Sequence, residues 1–230
     1  MIGALDITNP QSLRYIQENV PTLITGIGTD AQVAIQQAVT RGFSERRAPV
    51  QIAREIRRSI GLTPNMEAAV ANFRQQLESG EIGSGTIPWE RRLSAVEAQQ
   101  ARSIFRRPVV PAREIDRIVD TYAQRLLNLR ASTIARTEIH QAHIQGQEEL
   151  WRQGAAAGRI DEDRAREFWI HSGDERVRDD HRRIPGMNPD GVRLGESFKT
   201  PIGLVRGPGQ SGNAAFDIGC RCAVAIRFIG

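Results

Sequence analysis

The sequence predicts an α+β protein, with a mainly α-helical N-terminal region and a small C-terminal α+β domain containing a short antiparallel sheet. Three observations carry this reading. Apolar residues recur at three- and four-residue steps to about residue 153, the mark of helices that bury one face. Near the other end, Cys220, Cys222, Val224, Ile226 and Phe228 alternate with Arg221, Ala223, Ala225 and Arg227, the period-two pattern of a half-buried strand. Between Pro185 and Gly212, glycine and proline are too frequent for long regular elements.

Taken in order, Pro10 and Pro21 bracket a short helix over Gln11 to Asn19. A second helix covers Thr29 to Thr40 through Val33, Ile35, Ala38 and Val39, with Gly42 where a left-handed C-terminal residue is wanted. Ile52, Ile56 and Ile60 then step by four up to Gly61. Thr63 and Pro64 open another helix, in which Met66, Val70, Phe73 and Leu77 share a face and Gly80 makes the stop. A linker-like run, GEIGSGTIPWERR, precedes the helical LSAVEAQQARSIF, which Pro108 and Pro111 end.

From 112 to 153 the stripe Ile115, Ile118, Val119, Tyr122, Leu126, Leu129, Ile134, Ile139 and Ala142 makes a spine, either one helix or two joined near Ala131 to Thr133. Phe168 to His171 and Cys220 to Phe228 are the expected strands. The expected division is therefore 1–153, helical, and 154–230, α+β.

At 230 residues and 40% apolar, the chain can bury one or two cores. Its 31 basic residues are all arginine except Lys199, and 27 acids offset them to a net charge of +4. Arginine suits planar phosphate and carboxylate partners, but acids interleaved this closely favour solvated helix faces over a dedicated nucleic-acid surface. No run of about 18 apolar residues could span a membrane, and no basic segment leads into an apolar run as in a secretory leader. Cys220 and Cys222, one residue apart, make a poor disulfide, so free thiols or a metal pair in a reducing cytoplasm are expected.

If Asp174 to Arg182 is helical, Asp174, Arg178 and His181 fall on one face. Asp174 and His181 could then join Cys220 and Cys222 as zinc ligands, although two cysteines separated by a single residue make an atypical half-site. The competing reading is a packed, hydrogen-bonded cluster without metal, in which the cysteines act as small hydrophobes and Trp151 and Trp169 as core. Glu138 on the spine is expected to pair with Arg178 or another arginine of the C-terminal region, and His140 and His143 read as ordinary helix residues. DDHRRIP with Asn188 suggests half of a nuclease site built on Asp174, Asp180 and His181, yet no histidine follows His181 to complete it. No nucleophile elbow or phosphate-cradling loop is present, so no enzyme is expected.

ARTEIHQAHIQGQEELW, FWIHSGDERVRDDH, a glycine-containing turn, Phe198 and the final CRC together resemble the head-morphogenesis domain of tailed bacteriophages, the family of the phage Mu F minor head protein. The resemblance covers roughly Gly26 to Phe228 and falls on Thr137, Glu138, Trp169, Asp174, Arg176, Arg178, His181, Gly191, Phe198, Cys220, Arg221 and Cys222. It implies a structural minor capsid protein of few copies, associated with the portal and acting in procapsid assembly and in DNA packaging or ejection. The implied partners are the portal, the major capsid or scaffold protein and packaged double-stranded DNA. The implied place is the interior of the phage head, after synthesis in the bacterial cytoplasm. The alternatives are a metal-dependent nuclease and a zinc-stapled nucleic-acid-binding module.

Overall fold

The computed structural model describes residues 14, 28–81, 92–107 and 110–229. Apart from Arg14, the expected helix over Gln11 to Asn19 lies outside them, as does most of the expected linker after Gly80. The described elements run α1 (Thr29–Ser44), α2 (Pro49–Ile56), α3 (Pro64–Ser79), α4 (Ala95–Ile104), α5 (Ala112–Ala156), β1 (Ala165–Ile170), α6 (Asp179–Met187), β2 (Val192–Arg193), β3 (Phe198–Thr200), β4 (Gly203–Val205), α7 (Ala214–Asp217) and β5 (Ala223–Phe228). The fold is α+β, mainly helical first, with a short antiparallel sheet near the C-terminal end.

The chain forms two compact units: Met1–Ile56 together with Thr133–Gly230, and Arg57–Ser132. The division falls within α5 rather than at residue 153. Its cause is visible in the contacts of the second half of α5, which are made with the C-terminal segment: Gly219 N–H donates to Thr137 Oγ1 at 3.3 Å, and the amides of Gln141 and Gln147 donate to the carbonyls of Gly209 (2.6 Å) and Val224 (3.4 Å). The 45-residue α5 is unbroken, so the spine is one helix without a joint at Ala131 to Thr133. Leu129, expected in its apolar stripe, is exposed.

In the unit Arg57–Ser132, the starts of α3 and α4 are capped as their sequence dictates. Thr63 Oγ1 accepts from Met66 N at 3.3 Å ahead of Pro64, and Gly80 closes α3 in the left-handed conformation at φ 71°. Ser94 and Glu97 satisfy each other's backbone N–H groups in a capping box at the start of α4. The Arg125 guanidinium and this cap together hold Glu97 down at about 2. Phe73, Leu77, Ala101, Ile104, Ile118, Val119 and Tyr122 form the core, with Phe73 and Tyr122 packed edge-on at 5.0 Å.

In the other unit, α1 runs through Gly42 instead of stopping there. A Cβ on Gly42 would occupy the place of the Ile52 side chain, so this glycine permits close approach of α2. Helix α2 ends at Ile56, earlier than the four-residue isoleucine spacing suggested, and 57–59 form a turn.

The sheet has order β2-β1-β5, antiparallel throughout, with Trp169 opposite Val224. Strand β5 begins at Ala223, so the cysteines precede it rather than lying on it, although both are buried as the alternation required. Phe228 was expected on that buried face but is 47% exposed, because the strand emerges from the core before its last residue. Gly191 sits at φ 70° with its Cα against the Glu167 carbonyl, where a side chain would collide with backbone.

Glu167 of β1 is fully buried, and Arg206 holds both its oxygens, at 2.8 and 3.2 Å. Glu148 of α5 lies 3.8 Å from the same guanidinium, and burial pushes its carboxyl up to about 7. Removing one partner of a buried ion pair strands the other, so Arg206→Ala is expected to cost roughly 3–5 kcal/mol in urea denaturation. The double variant Glu167→Gln, Arg206→Ala is expected to regain part of that loss, since the one acid it leaves there is Glu148, whose carboxyl burial already pushes toward the neutral form.

Candidate metal centre

The centre is built by three segments. Helix α6 supplies His181, which is 2% exposed, along with Ile184 on its inward face. Gly219, in the left-handed region at φ 69°, turns the chain so that Cys220 and Cys222 both enter the core before β5 begins. Strand β1 supplies Trp169, whose indole meets the His181 ring at right angles with centroids 6.0 Å apart. On the other hand Phe216 of α7 packs 4.2 Å from the same ring.

His181 Nδ1 lies 3.4 Å from Cys222 Sγ and 3.6 Å from Cys220 Sγ, and Cys222 N–H points at Cys220 Sγ across 3.5 Å. The three donor atoms lie within 4.8 Å of one another. Both cysteines are free. The thiols titrate as a pair: their mutual hydrogen bond pushes Cys220 above the ordinary thiol value and holds Cys222 below it. Burial adds to the first shift and opposes the second, while Trp169, Arg178 and Arg221 favour the Cys222 thiolate.

These residues fit a soft divalent metal. A zinc ion at its usual distances to thiolate sulfur and imidazole nitrogen sets those two donors about 3.6 Å apart in a tetrahedron. The two observed sulfur–nitrogen separations, 3.4 and 3.6 Å, lie close to that edge length. Two thiolates and an imidazole are also the donor types zinc prefers.

Asp174 does not join them. Its segment is a turn rather than the first part of α6: Gly173 is left-handed at φ 73°, Asp174 Oδ1 accepts from Arg176 N at 3.0 Å, and the helix begins only at Asp179. The same-face placement with Arg178 and His181 is therefore not formed. Instead Arg221 grips both Asp174 oxygens at 2.7 Å and, with the Arg176 backbone N–H, holds the carboxyl down at about 2. Arg178, the residue before α6, donates to the carbonyls of Phe216 (3.2 Å) and Ile218, and so ties the loop carrying the cysteines to the helix carrying His181. Arg176 is exposed and lines, with Ser172, Val177, Arg178 and Arg221, a shallow cleft over the cluster.

Glu138 does not pair with Arg178. Its Oε1 is buried without a partner, and burial pushes the carboxyl up to about 7. Asn188 is not an orienting residue for His181: its amide donates to the Ile184 and Lys199 carbonyls at 2.8 and 2.9 Å and accepts from Lys199 N at 3.0 Å, tying α6 to β3.

His140 is more than an ordinary helix residue. It lies close enough to Cys220 to favour its thiolate, yet its Nε2 is buried with no hydrogen-bond partner. The sequence held a signal for it. Thr137, His140, Gln141, Glu148 and Trp151 recur at helical spacing as a polar-edged stripe on the spine, and this stripe meets the C-terminal segment.

No family model, curated protein or solved structure matches this chain.

A raised carboxyl pKa means that the folded chain keeps a proton which the unfolded chain has released. For Glu138 the window runs from its ordinary 4.5 to about 7, and stability falls as pH rises through it. Glu138→Gln is expected to be more stable than the parent at pH 8, by roughly 3 kcal/mol at most, and nearly equal to it at pH 4. Thermal unfolding across pH measures this; the slope that remains in the variant combines Glu148, whose carboxyl is shifted the same way, with His143, whose imidazole burial shifts down and whose contribution has the opposite sign.

Proposed function

We propose that this chain is a structural, non-enzymatic minor head protein of a tailed bacteriophage. In this reading it associates with the portal, acts in procapsid assembly and in DNA packaging or ejection, and has a C-terminal segment stapled by zinc at His181, Cys220 and Cys222. One observation carries the reading: the residues that bear the resemblance, Glu138 and Arg176 excepted, tie the segments around a single buried cluster to one another. Thr137 holds Gly219, Arg178 holds Phe216 and Ile218, Arg221 holds Asp174, and His181 faces both cysteines. Trp169 and Phe198 wall the cluster, and Gly191 lets β2 lie against β1. Residues used this way hold a shape.

The nuclease alternative asks more of the same residues than they have free. One of its two carboxylates, Asp174, is neutralised by Arg221, and its orienting amide, Asn188, is saturated by backbone, which leaves it the exposed Asp180 on the first turn of α6 and His181. Zinc bound by a folded but not an unfolded site adds its binding free energy to stability. Portal and scaffold acids, and the phosphates of packaged duplex, are the partners that arginine-rich helix faces would meet.

Two measurements test this. Mass spectrometry of purified particles from cells producing the phage that encodes this chain is expected to find it at a few copies per head; heads that lack it would refute the assignment. Elemental analysis of the native protein is expected to give near one zinc per chain, lost together with cooperative unfolding in Cys220→Ala, Cys222→Ala. A metal-free native protein of unchanged stability would leave the cluster as packing alone.

A further inference from the structure

Three donors leave a tetrahedral zinc one position short, and what fills it separates two kinds of site. A fourth protein ligand makes a closed, structural centre, whereas an open position taken by water makes a catalytic one. The cleft over the cluster, lined by Ser172, Arg176, Val177, Arg178, Gly219 and Arg221, offers a route for that water. The spine offers a competitor.

We infer that His140 is the fourth ligand, completing a Cys2His2 centre with His181, Cys220 and Cys222. The inference rests on the zinc reading above. Three observations carry it. His140 Nε2 is buried and has no hydrogen-bond partner, the condition of a nitrogen waiting for something absent from the protein itself. It lies one helical turn beyond Thr137, whose hydroxyl accepts from the N–H of Gly219, the residue before Cys220, and its Cδ2 edge faces Gly209 of the same segment. The helix on either side of it is anchored to the segment that carries the cysteines, by Thr137 to Gly219 and by Gln141 to Gly209. A helix anchored on both sides therefore presents the imidazole toward the segment that carries the cysteines.

The donors would then come from α5, from α6 and from the stretch before β5. A four-ligand centre of this kind would cross-link the spine to the sheet and leave no coordination position for a substrate.

Cobalt(II) substituted for zinc in the full chain reads the coordination directly, since thiolate ligands give charge-transfer bands in the near ultraviolet and tetrahedral geometry gives intense visible bands. His140→Cys is expected to keep the metal and to add a third thiolate-to-cobalt band. His140→Ala is expected to bind zinc at least about tenfold more weakly, because losing a ligand should cost no less than losing a ligand's hydrogen-bonding support. If the parent and both variants bind zinc alike and His140→Cys adds no band, the fourth position is open and His140 is a neighbour only, while the three-ligand site stands. A parent that binds neither zinc nor cobalt overturns both. Should His140→Ala fail to fold, the His140→Cys spectrum decides alone.

Discussion

A histidine almost fully removed from water, pressed between an indole and a phenyl ring and facing two buried sulfurs, is the constraint on which the C-terminal segment depends. Burying polar atoms is unfavourable unless they are satisfied, and here the neighbours are weak hydrogen-bonding groups. Around this point the stronger groups serve as braces. Arg178 and Arg221, both exposed, reach over the loop and fasten it by carbonyls and by a carboxylate. The outer ion pair and the inner thiols thus divide the work: charge stays where water can solvate it, and soft, polarisable atoms go inside.

The same segment holds a second buried polar centre of opposite character. Glu167 and Arg206 are hard, charged and joined by two hydrogen bonds, with Glu148 drawn in as a third member. Such a network is worth little over a well-packed apolar substitute, but it is intolerant of partial loss. It fixes where the loop after β4 crosses β1. Together the two centres pin the glycine-rich stretch at its ends and near its middle, in place of the long strands that its composition forbids.

Much of this was legible in the sequence where the signal was local. The Thr63-Pro64 start, the Gly80 stop and the apolar stripe from Ile115 to Leu126 follow from capping and periodicity, and the period-two run placed both cysteines inside. Failures came where a local rule met a packing demand. Gly42 reads as a helix stop but serves as a contact for Ile52, and Asp174 reads as helical but sits in a turn set by Gly173 and its own side chain. The Glu167–Arg206 pair was invisible because 39 positions and a stretch without periodicity separate its members. His140 was passed over for a related reason: the stripe it shares with Thr137 and Gln141 is local, but the segment that stripe meets lies far along the chain.

The two compact units differ in how the chain supplies them. Arg57–Ser132 is one continuous stretch, while the other unit needs residues from both sides of it. Contacts that close over short sequence separations form faster than those that must first close a long loop. The continuous helical unit should therefore be complete while its discontinuous companion still waits for contacts such as those of Thr137 with Gly219 and of Gln147 with Val224, which join residues 82 and 77 positions apart. Helix α5 contributes to both, so its first half can be ordered by early neighbours before its second half has acquired any from the C-terminal segment. In kinetic terms, the spine is a template extended from a quickly formed piece into a slowly formed one.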